Sequence, residues 1–457
     1  MRPRMKPRLA DRRAATNPQE AAAAGSGLRR ALGLRDLIVY GLIVIQPTAP
    51  MPVFGIVSER ARGHVVTAVL LAMVAMLFTA ISYGRMARAH PSAGSAFVYV
   101  GRELHPLLGY VTGWAMALDY LLNPLISIIL CAQLSAHVIP QVPYAVCAVF
   151  FASLFTALNL VDIRTSARIN AALAAGMCLV IAVFFAAVGH ALFGHVPLTP
   201  AFLTRPFFDP ATFAPGAVLG GASLAVLTYI GFDGISTLAE EARNPHRDIL
   251  RATVLVCLLT GLLAGAQVYA AQLIWPASRP FPDVVTAFVH VAGAAGGTWL
   301  LQLVNATLLV ATIGSGTASQ LGAARLLYGM GRADALPKVF FGKTERKRQI
   351  PRNNVLLCGG IALIGALLMS FDSGVNLLNF GALIAFMGVN VACLTRYFVR
   401  APRRRALDLL LPASGFAICL MLWWNLSSAA RLAGSAWLVF GLCIGLSRGW
   451  RFTSPHP

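Results

Sequence analysis

Runs of apolar residues long enough to cross a bilayer recur from one end of this chain to the other, and that feature leaves few folds open. Lipid offers no hydrogen bonds. A spanning segment must therefore satisfy its own backbone, as a helix of about 20 residues or as a strand in a closed barrel. The runs fall at 36–57, 65–86, 106–135, 141–160, 167–190, 216–239, 252–275, 297–329, 354–371, 376–398, 407–427 and 430–447, separated by short polar connections bearing Pro or Gly. Their length predicts helices, and the short alternating strands of a barrel are absent. Charge agrees: 12% of the 457 residues are charged and 57% are hydrophobic. A soluble domain carries roughly 25% charge to cover its water-facing surface. The expected fold is an all-α polytopic membrane protein with about 12 transmembrane helices.

A net charge of +20 raises the question of nucleic acid, and its placement answers it. With the N-terminus in the cytoplasm, 32 of the 37 Lys and Arg fall on the cytoplasmic side, nine of them ahead of the first run. The other side keeps Arg60, Arg62, Arg205, Arg279 and Arg431. This is the positive-inside bias of a membrane protein, with anionic lipid headgroups as natural partners and no need for nucleic acid. The expected location is a bacterial inner membrane, multi-pass, with both termini cytoplasmic. Residues 1–27 are basic and Ala-rich without an apolar core, so they predict a disordered tail and not a cleavable signal peptide. The cysteines, Cys131, Cys147, Cys178, Cys257, Cys358, Cys393, Cys419 and Cys443, all lie within the runs and form no close metal-type pair. They read as small buried apolar residues with no disulfide framework.

Two runs look broken. The first carries Gln46, Pro47, Thr48, Pro50 and Pro52 in its middle, and three prolines in six residues remove backbone donors and clash with the preceding turn. The sixth carries Gly231, Phe232, Asp233 and Gly234, where a continuous helix prefers neither glycine. Gln46 lies about 15 Å beyond Asp36 at 1.5 Å per residue, near the midplane. Broken backbone survives there only where protein or a water-filled cavity satisfies it. The breaks are five spans apart, and five is odd, so a second five-helix unit would sit inverted on the first. Inverted repeats with discontinuous first helices mark secondary transporters, with substrate held at the breaks. The layout expected is a tail at 1–30, a transport core of two inverted repeats at 31–400, and two further helices with a short tail at 401–457. Those last helices support a homodimer or simply pack the bundle.

Only 17 residues are Asp or Glu, and Asp119 and Asp233 are the two deep in spans. A buried carboxylate is costly and needs a partner or a task. Asp233 lies in the break itself. Asp119, beside Tyr120, either serves substrate or bonds a neighbouring helix. Glu240 and Glu241 stand at the cytoplasmic end of span six, placed for a gate or a loop salt bridge.

At these residues the chain resembles the amino acid–polyamine–organocation superfamily. Gly231-Phe232-Asp233-Gly234 leading to Glu240-Glu241-Ala242-Arg243-Asn244-Pro245 is similar to its span-six signature, as is Arg247-Asp248-Ile249, although Leu250 stands where the family usually has Pro. Pro91 to Phe97, Gly109-Tyr110 and Gly113-Trp114 resemble the region between spans two and three. Ala324 to Tyr328 and Gly331 to Asp334 resemble the end of span eight. The likeness covers roughly 30–450. Within the superfamily the chain looks most like bacterial putrescine importers, through Gln46-Pro47, Phe54 to Ser58, Leu118 to Leu121, Gly231 to Ser236 and Asn379 to Leu383. The resemblance implies a LeuT-like 5+5 inverted repeat with helices 1 and 6 discontinuous, and an ion-coupled importer working by alternating access.

Amino-acid carriers of this class usually hold the substrate carboxylate on free N–H groups of a Gly-Ser-Gly-like break. Prolines donate no N–H, so Gln46-Pro47-Thr48-Ala49-Pro50 is a poor carboxylate site. A diamine has two cations and wants acceptors and aromatic faces. Asp233 and Asp119 offer one carboxylate to each ammonium, and Tyr120, Tyr229 and Phe232 offer rings. Gln46, Thr48, Gly231 and Gly234 complete the expected substrate site. Glu240, Glu241 and Ser315 are the expected gate or coupling residues. The favoured coupling ion is a proton, since a carboxylate in a substrate cavity can exchange one. Sodium stays open, because Ser315, Thr317 and Ser319 either serve a cation or bond their own backbone. No cofactor or metal is expected. Without a His-Glu-x-x-His or Gly-x-Ser-x-Gly cluster, the chain does not read as an enzyme. An α-amino acid permease of the same superfamily is the alternative.

Overall fold

The structure, a computed structural model, describes residues 32–91, 94–161, 167–193, 199–276, 278–332, 336–345 and 350–447. The expected tails at 1–30 and beyond 447, and parts of the Pro91 to Phe97 and Gly331 to Asp334 motifs, lie outside the described residues. Each apolar run is helical. Span 1 is two pieces, Leu34–Ile45 and Phe54–Arg60. Spans 2 to 5 are Val65–Ala89, Pro106–Ala136, Tyr144–Val161 and Ala167–Leu192. Span 6 is Pro215–Thr237, interrupted, and span 7 is Pro245–Ile274. Span 8 is the second leg of Ala287–Arg332, which bends at Gly297. Span 9 is Arg352–Leu368, span 10 Phe371–Val399, span 11 Ala406–Trp424 and span 12 Ser428–Ser447. Ten of these helices, the interrupted span 6 among them, are long and apolar enough to cross a membrane; span 9 is shorter, and span 1 lies in two short pieces.

Local chemistry sets the starts. Spans 3 and 7 open on Pro106 and Pro245, whose fixed φ suits a first helical position where the missing N–H is no loss. Ser370 caps span 10 by accepting the Ser373 amide at 3.2 Å, one of the donors a helix start leaves unpaired. Short helices at Ser95–Glu103, Pro200–Thr204 and Lys338–Phe341 occupy connections that read as plain loops in the sequence.

The packing has the symmetry that the odd spacing of the breaks predicts. Span 1 packs on span 6, span 2 on span 7, span 3 on span 8 and span 4 on span 9. Each of these four helices thus meets the helix five places on. In lipid such contacts depend on close approach: a Cβ on Gly84 of span 2 would stand 2.5 Å from Leu250 of span 7. Span 11 lies against spans 2 and 10, and span 12 against spans 3 and 10. A reciprocal pair fixes span 12. Trp114 Nε1 donates to the Trp437 carbonyl at 2.8 Å, Trp437 Nε1 donates to that of Trp114 at 3.0 Å, and the rings stack at 4.8 Å.

All eight cysteines are free. Six are buried as expected, but Cys178 and Cys443 are exposed on the outside of the bundle. A thiol is apolar enough to face lipid as readily as a helix neighbour, so a position within a span did not decide burial.

Candidate functional site

Span 1 ends its first piece at Ile45, and Gln46 turns the chain with φ 69. From there to Phe54 the backbone closes on itself. The amides of Gln46, Ala49, Met51 and Phe54 donate to Leu42, Gln46, Thr48 and Met51 carbonyls at 3.0–3.4 Å, and Pro47, Pro50 and Pro52 have no amide to give. Carbonyls freed by the break are met from neighbouring spans, as broken backbone at this depth requires. Gln267 Nε2 of span 7 donates to the Pro47 carbonyl at 3.0 Å. Gln46 ties the break to span 8, its Nε2 donating to the Ala311 carbonyl at 3.0 Å. Thr48 is buried, with its hydroxyl 3.9 Å from Met177 Sδ of span 5.

Span 6 narrows to a 3-10 turn over Val226–Tyr229 and then breaks. Asn379 of span 10 donates Nδ2 to the Ser223 and Leu224 carbonyls just before that turn, at 2.8 and 3.2 Å. Gly231 has φ +123, and a Cβ there would meet Val44 and Ile45 at 3.0–3.2 Å. Glycine therefore permits both the left-handed backbone and the contact between the two broken helices. The Gly231 amide donates to Asp233 Oδ1 at 3.2 Å. The helix resumes at Gly234.

Asp233 is 9% exposed, whereas Asp119 is half-buried on span 3. The charge of Asp233 is felt at the Asp119 carboxyl, and Tyr40, Tyr83 and Tyr120 lie in the same field. The Tyr120 ring stands against span 8 at Gly322. Phe232 is fully buried, its ring 5.6 Å from Tyr83 and 5.4 Å from Phe386. Tyr229 turns away, its hydroxyl donating to the Val69 carbonyl of span 2 at 2.8 Å. In span 8, Thr317 and Ser319 bond their own backbone at Ile313 and Ser315, and Ser319 also donates to Asn123 at 2.9 Å. Ser315 is half-buried beside them.

Three ties hold the basic face, where most Lys and Arg lie. Leu32 pairs by backbone with the span 6–7 connection, donating to Glu241 at 3.1 Å and accepting from Arg243 at 2.8 Å; Glu240 and Glu241 are half-buried there. Ser95, at the start of the loop helix, meets Ser236 hydroxyl to hydroxyl at 2.9 Å, three residues past Asp233. At the other end of that helix Glu103, 4% exposed, gathers His90 of the span 2 end at 2.6 Å together with Arg396 and Arg400 of the span 10 end. Burial pushes the Glu103 carboxyl up, but the hydrogen bonds and charges of His90 and Arg396 outweigh it and leave it below the ordinary value. On the opposite face a cavity of about 780 Å³ opens, lined among others by Ile56, Glu59, Arg60, Gln133, Val284 and Asp372.

Sequence reading missed Tyr83 and Gln267. Both lie in unbroken helices, where nothing marks a face. A glutamine in mid-span is nonetheless a signal, since a polar group in lipid asks for a partner.

Residues 55–443 match the family model described as amino acid permease. The chain is 35% identical over 442 residues to the low-affinity putrescine importer PlaP of Escherichia coli (strain K12), covering 94% of this chain and 96% of that one. It is 28% identical over 462 residues to the branched-chain amino acid permease BcaP of Lactococcus lactis, covering 92% and 94%. It is also 26% identical over 397 residues to the vacuolar cationic amino acid transporter 4 of Arabidopsis thaliana, covering 81% and 64%.

Proposed function

Because the chain belongs to the amino acid permease family, and is a transporter, we propose that its cargo is a cationic amine, putrescine or a related polyamine. The observation that carries this reading is the placement of two intramembrane carboxylates, Asp233 buried in the span-6 break and Asp119 half-buried on span 3, with a span-1 break in which the amides of Gln46, Ala49 and Met51 are engaged in its own turns and three prolines have none. A substrate carboxylate would find few donors and two like charges there. An ammonium finds acceptors, and Tyr120 and Tyr83 supply aromatic faces. The broken helices add to this. Span 1's first piece and span 6's first piece both reach the break with their C-terminal ends, whose carbonyls favour a cation. The similarity to a putrescine importer supports the same substrate class.

The protein works by alternating access, with the basic face in the cytoplasm of a bacterial inner membrane as the positive-inside bias directs. The backbone pair of Leu32, the Ser95–Ser236 contact and the Glu103 cluster hold that face closed, while the opposite face presents the open cavity. An importer waiting for external substrate has this form. A proton drives it, exchanging at a carboxylate of the site once the amine has left.

The test is uptake of radiolabelled putrescine into proteoliposomes with an inward proton gradient, a sodium gradient or neither, challenged by unlabelled amines and amino acids. Proton-dependent uptake blocked by diamines supports the reading. Flux of an α-amino acid with no putrescine uptake overturns the substrate, and sodium dependence overturns the coupling.

A further inference from the structure

Gln267 stands in span 7 with no exposed surface, and its amide bridges two carbonyls. Nε2 donates to Pro47, inside the span-1 break, at 3.0 Å and to Leu263, one turn back in its own helix, at 3.2 Å. Both partners only accept. That fixes the amide, NH2 toward the carbonyls and Oε1 away from them. Oε1 is then buried with no donor from the described residues. Such a group is a cost to the fold wherever it is left unmade, and the NH2 alone would suffice to satisfy Pro47. The other break carries a matching group: the Thr228 hydroxyl, three residues before Gly231, is buried and has no partner among the described residues. The two breaks touch where Gly231 meets Val44 and Ile45, and Pro47 follows Ile45 by two residues. Gln267 is thus held at the junction of the broken helices with an acceptor in reserve.

We propose that Gln267 is a substrate-binding residue whose Oε1 accepts a hydrogen bond from an ammonium group of the transported amine, while its NH2 holds the span-1 break in shape. This rests on the amine reading above. An ammonium carries three N–H donors, and one carboxylate leaves some of them over. Gln267 takes one without adding a third negative charge to Asp119 and Asp233. A neutral acceptor also gives direction: it rewards a primary ammonium, which can donate, over a fully methylated one, which cannot.

The experiment measures KM and kcat for putrescine in proteoliposomes, with competition by putrescine trimethylated on both nitrogens. Wild type is compared with Gln267→Met, which keeps length and loses all hydrogen bonding, and with Gln267→Glu, which keeps an acceptor. Gln267→Met is expected to raise KM roughly tenfold or more, the loss of one hydrogen bond to a charged group, and to shrink the preference for putrescine over its trimethylated form by a similar factor. Gln267→Glu is expected to keep that preference. A merely structural role weakens both ligands equally and leaves their ratio unchanged in Gln267→Met, which overturns the proposal. If Gln267→Met does not fold, loss of the preference in a folded Gln267→Glu overturns it equally. Should wild type carry an α-amino acid and no putrescine, the amine reading fails by itself. Gln267 is then judged by the KM of that amino acid against its N-methylated form, and an unchanged ratio between wild type and variant rejects it.

Discussion

The amide of Gly231 donates to Oδ1 of Asp233 at 3.2 Å, so the side chain that faces the break also holds the break's own turn. The two tasks separate on substitution. Asparagine keeps an oxygen to accept the Gly231 amide and loses the charge. Asp233→Asn is therefore expected to fold, insert and elute as wild type, with putrescine uptake down by at least roughly tenfold, the loss of one charge-assisted contact. Size exclusion and proteoliposome uptake check it together. Normal uptake by a folded variant removes Asp233 as the counter-ion.

Asp119 is half-buried on span 3, within the field of Asp233. If each carboxylate faces one ammonium, Asp119 matters only to a substrate with two. Asp119→Asn should raise the inhibitory concentration of putrescine by roughly tenfold and that of butylamine far less. Competition assays on the same vesicles give the comparison. Equal weakening of the two amines makes Asp119 a structural residue.

The parts of this molecule that lipid dictates were legible from the start. A span has no choice but helix, so the run at 216–239 became Pro215–Thr237, and three prolines in the first run broke it where they stand. Contacts between spans were less legible. Tyr229 and Tyr120 look alike in sequence, yet the hydroxyl of Tyr229 reaches the Val69 carbonyl while Tyr120 lies in the field of both acids. A rotation of about 100° per residue separates the faces of a helix, and only the neighbours decide which face is the cavity. The loop helix Ser95–Glu103 was hidden for another reason. It is short, and it is held by partners from spans 2, 6 and 10 that no local pattern announces.

Gly231 is the position where the two breaks meet. Alanine there must hold φ +123 and place a methyl 3.0–3.2 Å from Val44 and Ile45. A non-glycine residue in sparsely populated backbone costs about 1–3 kcal/mol, and the contact adds to it by pushing the first piece of span 1 off span 6. Gly231→Ala should lower the melting temperature in detergent and depress uptake. Gly234, whose added Cβ meets nothing within 4 Å, is the comparison. Gly234→Ala should melt close to wild type. Equal melting of the two variants would show that the Gly231 contact does not brace the breaks.

Glu103 makes the basic face sensitive to acid. Its carboxyl sits below its ordinary value of about 4.5 because His90 and Arg396 outweigh its burial. A carboxylate depressed in the fold stabilises it fully above the unfolded value, and that contribution is lost as pH falls through the folded one. Glu103→Gln keeps the size and removes the charge that gathers His90, Arg396 and Arg400. The gap in melting temperature between wild type and Glu103→Gln is therefore expected to be widest and flat from pH 7 down to about pH 5, and to close below about pH 4.5 as the wild-type carboxyl takes up its proton. Thermal melts in detergent at stepped pH read this directly. A gap that stays constant into acid would mean that the cluster contributes through packing alone.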